Sequence, residues 1–145
     1  MRLKQYLNEL FNTKVKLSSI KGSEISYVTK YETQGIKMQV TFHQNQNMFG
    51  RLDGDDPYSE YEIMFEPTNG QIQNLDMKQV ISVFSGVKQA VEKFIKEKDP
   101  VLFYFSPEHT KLKPIYDKFV KELKRKLKGY EYKLKDGYEH VFYRL

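Results

Sequence analysis

Apolar and polar residues recur along this chain with two different periods, and the change between them marks out its elements. Ile36, Met38, Val40 and Phe42 alternate with Lys37, Gln39 and Thr41, the period of a half-buried strand over residues 36–43. Residues 25–32 read as its partner. Thr33-Gln34-Gly35 between them predicts a hairpin turn in which Gly35 supplies a positive φ. From Met77 the period lengthens. Met77, Val80, Ile81, Phe84, Val87, Val91, Phe94 and Ile95 fall at steps of three and four, which places them on one face of a long helix. Asp76 followed by Gln79 predicts an N-cap with a capping box. Lys96 and Lys98 suit the negative end of the helix dipole, and Pro100 predicts the stop.

Residues 101–105, VLFYF, form a continuous apolar run of strand length and predict a buried central strand. Ser106-Pro107 ends it. Pro114 opens a second helix, whose stripe is Ile115, Tyr116, Phe119, Val120, Leu123 and Leu127, and Gly129 stops it. Residues 130–134 and 140–145 predict a closing hairpin across Lys135-Asp136-Gly137. Towards the N-terminus, Leu3, Tyr6, Leu7, Leu10 and Phe11 predict a short amphipathic helix over residues 2–12 that docks on the core. Residues 15–20 predict a short strand. Residues 61–66, YEIMFE, predict another, ended by Pro67. Between residues 43 and 60 lies a polar, glycine-containing stretch that reads as a long surface loop. Strands, long helix, buried strand, helix and hairpin amount to a mixed α+β sheet flanked by helices, in one domain over residues 1–145.

Composition narrows the chemistry. Eleven tyrosines and ten phenylalanines in 145 residues argue for a packed core rather than disorder. The absence of cysteine excludes disulfides and thiolate catalysis. With no signal peptide and no bilayer-length apolar run, a soluble cytoplasmic protein without a membrane partner is expected. The net charge of +5 is concentrated: residues 111–128 alone carry +6. Lys111, Lys113, Lys118, Lys121, Lys124, Arg125 and Lys128, on the helix over 114–128 and its approach, form a surface for an anionic partner, set against the plainer reading of a solvated lysine face. His43, His109 and His140 match no zinc spacing. Asp53, Asp55 and Asp56 lack the register of a calcium loop. No metal is expected. Ser82, Ser85 and Ser106 lack a nucleophile elbow, and there is no phosphate-binding glycine loop of the Walker or Rossmann kind.

The order of elements, and VLFYFSPEHTKLKPIYDKF leading to KGYEYKL in particular, resembles the GCN5-related N-acetyltransferase (GNAT) family. Ile115-Tyr116 stands at its aliphatic-Tyr pair, and Gly129-Tyr130 at its glycine-aromatic pair. The chain also looks similar to small phage proteins with the same strand-SP-helix-LY arrangement, without the arginine often found upstream of that tyrosine. The family resemblance implies a GNAT-like sheet, acetyl-CoA as cofactor, Tyr116 as general acid to the departing thiolate, and Glu66 as a general base. The chain departs from the family where acetyl-CoA's pyrophosphate should sit. EPTNGQIQNLDMKQ has one glycine, Gly70, placed early, and it sets Asp76 at the helix start, where a carboxylate competes with a phosphate for the same amides. Three readings follow. The first is an accessory protein of the phage-encoded kind, expected in the host cytoplasm, that binds a protein partner on a GNAT-like scaffold and needs no cofactor. The second is an N-acyltransferase using acetyl-CoA. The third is a nucleic-acid-binding protein using the lysine-rich helix.

Overall fold

The computed structural model describes residues 11–23, 25–44, 60–68, 75–106 and 113–144. The expected helix over 2–12, the loop over 43–60 with its three aspartates, His109 and Lys111 lie wholly or mostly outside the described residues. The described elements are β1 (Lys21–Ser23), β2 (Ser26–Thr33), β3 (Ile36–Gln44), β4 (Glu60–Pro67), α1 (Met77–Lys98), β5 (Leu102–Phe105), α2 (Lys113–Lys126), β6 (Glu131–Lys135) and β7 (Glu139–Tyr143). The strands form one sheet in the order β1-β2-β3-β4-β5-β7-β6. Every neighbouring pair is antiparallel except β4 and β5, which run parallel because the long helix α1 carries the chain back between them.

The register explains where the core lies. Tyr31 faces Met38, Val40 faces Phe65, Phe42 faces Ile63, and Tyr61, Phe103, Phe142 and Tyr132 follow across the sheet. All project from one face, and both helices lie on it. Phe94 of α1 stacks on Phe42 with ring centroids 4.0 Å apart, and Phe119 of α2 meets Phe105 at 5.7 Å. The opposite face carries Lys37, Gln39, Thr41 and His43 on β3, and Glu62, Met64 and Glu66 on β4. The architecture is therefore a mostly antiparallel sheet with the two described helices on one side.

Several boundaries follow directly from local chemistry. The β2–β3 turn is two residues long, with Gln34 at φ 52° and Gly35 at φ 76°, the left-handed pair that matches the twist of the strands. Asp76 Oδ1 accepts the Gln79 amide at 2.8 Å, and Gln79 Oε1 accepts the Asp76 amide at 3.0 Å, which is the reciprocal cap. At the other end Asp99 adopts φ 49° and its amide donates to Ile95, so the left-handed cap comes one residue before Pro100.

Two expectations are corrected. Residues 15–20 form no strand; the edge strand begins at Lys21. Ser18 mixes main chain and side chain: its amide donates to the Lys30 carbonyl at 2.8 Å, its Oγ accepts the Lys30 amide at 2.9 Å, and its carbonyl accepts the Thr29 hydroxyl at 2.7 Å. A hydroxyl that supplies a ladder bond interrupts the regular pairing. The closing hairpin also turns one residue later than expected, through Asp136, Gly137 and Tyr138, with Lys135 paired to Glu139.

Candidate functional site

Parallel strands joined by a crossover helix leave a crevice at their carboxyl ends, where ligands of open sheets commonly bind. Here that place is the end of β4 and β5. Their ladder covers only Glu60–Leu102, Tyr61–Phe103 and Glu62–Tyr104. Past it, β4 stays with β3 as far as Pro67, and β5 stays with β7 as far as Phe105. The two halves of the sheet part company at this point.

Tyr116 of α2 lies over the parting. It follows Pro114 by two residues and precedes Phe119 by three, so helical spacing turns it into the core. Its ring centroid lies 6.0 Å from Phe65 of β4, 5.5 Å from Phe84 of α1, 6.2 Å from Phe105 of β5 and 5.6 Å from His140 of β7. Tyr116 thus touches both halves of the divided sheet and is 6% exposed. Burial pushes its phenol well above the ordinary tyrosine range, which holds the proton in place.

His140, weighed in the sequence only as a zinc ligand, is the polar centre of this cluster. Its ring lies near-parallel to those of Tyr116 and Tyr132, with centroids 5.6 and 6.0 Å away. His140 Nδ1 and the Tyr132 hydroxyl share a hydrogen bond of 2.7 Å. Desolvation first, and then the negative charge of Asp117, raises the Tyr132 phenol, so this tyrosine also keeps its proton. The sequence did hold a signal. In His140-Val141-Phe142 the strand period puts His140 on the same face as Phe142, beneath the helices.

Glu66 is not brought to this cluster. It pairs with Gln39, it is exposed, and it stands on the face opposite α1 and α2, one residue beyond the Phe65 that packs on Tyr116. A general acid and a general base must reach one substrate. Tyr116 packs from α2 onto one face of the sheet, and Glu66 leaves the other.

At the start of α1, Asp76 occupies the amide that an anionic ligand would seek, and the first turn holds no other acidic residue. The basic residues of α2 behave as a solvent face. Lys118, Lys121, Lys124, Arg125 and Lys128 are exposed, and Lys118, Lys121, Arg125 and Lys128 recur at three- and four-residue steps. Arg125 is engaged by Glu122 through two hydrogen bonds, of 2.7 and 3.3 Å. Lys124 sets its ammonium 4.6 Å from the centre of the Tyr132 ring.

Behind this face, Lys88 of α1 is buried. Its Nζ donates to the Phe11 carbonyl at 3.3 Å, to Asn12 Oδ1 at 3.1 Å and to Glu122 Oε1 at 3.5 Å. Gln89 beside it accepts the Val15 amide and donates to the Thr13 carbonyl at 2.6 Å. Together these two side chains tie residues 11–15 to α1.

No group of three or more histidine, aspartate or glutamate side chains that would hold a metal ion occurs among the described residues. No described helix is long and apolar enough to cross a membrane. No family model matches the chain, and no curated protein matches it either.

Proposed function

We propose that this protein is a binding module: a small accessory protein of the kind phages encode, built on a GNAT-like scaffold that works without acetyl-CoA and recognises a protein partner. The observation that carries the reading is the filled parting between β4 and β5. The place where a cofactor would enter is occupied by Tyr116, Phe65, Phe84 and Phe105, packed ring against ring. The capping box adds to it, because Asp76 offers a negative charge where a pyrophosphate would need amides. The separation of Tyr116 from Glu66 across the sheet also supports it, since an N-acyltransferase would need its acid and base on one substrate. The exposed lysines of α2 are the face offered to the partner.

The test is a calorimetric titration of the full chain with acetyl-CoA and with CoA. The expected result is no saturable heat at millimolar nucleotide. Micromolar binding of either would overturn the reading in favour of an acyltransferase whose acid is Tyr116. A titration with single-stranded DNA and RNA at low salt completes it. Tight binding that weakens steeply as salt is added would instead assign the lysine face to nucleic acid.

A further inference from the structure

The sheet has two outer strands, and they are unlike. β1 is three residues long and contains Gly22 at φ 144°. β6 is five residues long, about 17 Å of strand, and pairs with β7 without interruption from Glu131–Tyr143 to Lys135–Glu139. Among the described residues no strand pairs with its other side. An open edge offers alternate amides and carbonyls to any extended chain that lies beside it.

We propose that β6 is a docking strand, on which an extended acidic segment of a partner protein adds as the next strand of the sheet. The proposal rests on the binding-module reading and specifies the partner's chemistry. Charge complementarity selects this occupant. Lys133 projects from the face of β6 opposite α1 and α2, its ammonium 5.7 Å from the centre of the Tyr143 ring, so a residue opposite it on an added strand meets positive charge. On the other face Tyr132 and Leu134 offer apolar surface. Leu134 is 50% exposed, and the Lys124 ammonium lies over Tyr132. The fitting segment alternates acidic with apolar residues. A second copy of this chain fits worse, since it carries +5 overall and would bring Lys133 and Lys124 towards their own kind. Nucleic acid can meet the ammonium groups but has no peptide ladder to satisfy the edge.

The probe is a capped seven-residue peptide alternating valine and glutamate, titrated into the isotope-labelled full chain and followed by amide NMR. The expected result is shifts centred on residues 131–135, with slower hydrogen exchange there by ten-fold or more at saturation. Lys133→Glu should weaken binding at least ten-fold, whereas Lys37→Glu with Lys78→Glu, exposed lysines on β3 and α1 away from β6, should leave it within two-fold. The same peptide with every amide N-methylated, so that neither edge can donate, should not bind. No shift at millimolar peptide overturns the proposal. So does equal binding of the methylated peptide, or shifts confined to α2 with β6 unmoved. A self-association that the peptide fails to disrupt, and that protects β6, also overturns it by making a second copy the occupant. Acetyl-CoA binding would overturn the binding-module reading without moving residues 131–135, so the two failures are distinguishable.

Discussion

Substitution of Gly86 by alanine should be among the most damaging single-methyl changes in the chain. Gly86 lies in the middle of α1, where alanine is ordinarily favoured over glycine by about 1 kcal/mol. A Cβ built on Gly86 would stand 2.2, 2.3 and 2.8 Å from Cε2, Cζ and Cδ2 of Tyr31. Those atoms cannot swing away. Tyr31 is buried in β2, and its hydroxyl donates to the Val83 carbonyl one helical turn earlier. The ring must retreat by roughly 1 Å to reach ordinary contact, against a core packed to crystal density. Overpacking of this kind costs about 3 kcal/mol at the upper end of its usual range. Loss of the phenol's hydrogen bond adds about 1 kcal/mol. Set against the gain in helix propensity, the net loss is about 3 kcal/mol, or a fall in melting temperature of about 10 °C for a domain of this size. The assay is urea and thermal unfolding of the wild type, Gly86→Ala, Tyr31→Val and the double variant. In the Tyr31→Val background the ring is gone, so Gly86→Ala should become stabilising by about 1 kcal/mol, a change of sign that only direct contact produces. A neutral or stabilising effect of Gly86→Ala in the wild type would refute the reasoning, because it would mean that α1 does not approach β2 through this glycine.

Three further outcomes are expected. Burial alone would raise the Glu122 carboxyl, but the Arg125 hydrogen bond and the Lys88 charge outweigh it and hold the pKa below the usual range. The folded-state pKa is therefore depressed. The stabilisation is full above the unfolded carboxylate's pKa, near 4.3, and disappears as pH falls through the lower folded value. Glu122→Gln should cost about 1–3 kcal/mol at pH 7 by weakening the hold on buried Lys88, and urea titrations should show that deficit shrinking below about pH 4. Asp76→Ala removes the cap of α1 and should cost about 1 kcal/mol, read as a lowered denaturation midpoint at unchanged slope. Tyr116→Phe should change stability by less than about 0.5 kcal/mol, whereas Tyr116→Ala should cost about 3–5 kcal/mol through the cavity opened between β4 and β5; a large loss in the phenylalanine variant would show that the hydroxyl is structurally bound.

The elements that could be read from the chain were those whose cause is local. Asp76 and Gln79 sit three residues apart, so the cap of α1 is written within one helical turn, and the apolar stripe from Val80 to Phe94 repeats often enough to fix the buried face. Gln34-Gly35 fixes the β2–β3 hairpin for the same reason. Residues 15–20 misled because Val15 and Leu17 do alternate and are half-buried, yet what holds the segment is Ser18 bonding to Thr29 and Lys30, a tertiary event with no period. Lys88 shows the same limit from the other side. It stands four residues after Phe84, a core position, and a lysine there announces that a partner is needed, but Asn12 and Glu122 come from 76 and 34 residues away.

The candidate site was legible residue by residue but not as a constellation. Tyr116 could be placed in the core from its helix alone, and Glu66 could be placed opposite Phe65 from strand alternation alone. Whether the two cooperate depends on which sheet face the helices cover, and that is fixed by non-local pairings: β4 beside β5 across α1, and β7 inserted between β5 and β6. The same insertion has a second effect. By entering between β5 and β6, β7 brings His140 under Tyr116 and moves β6 to the rim. One topological step therefore closes the crevice with aromatic rings and opens a backbone edge beside the lysines. The binding-module proposal draws on both consequences, and the acetyl-CoA and peptide titrations examine them separately.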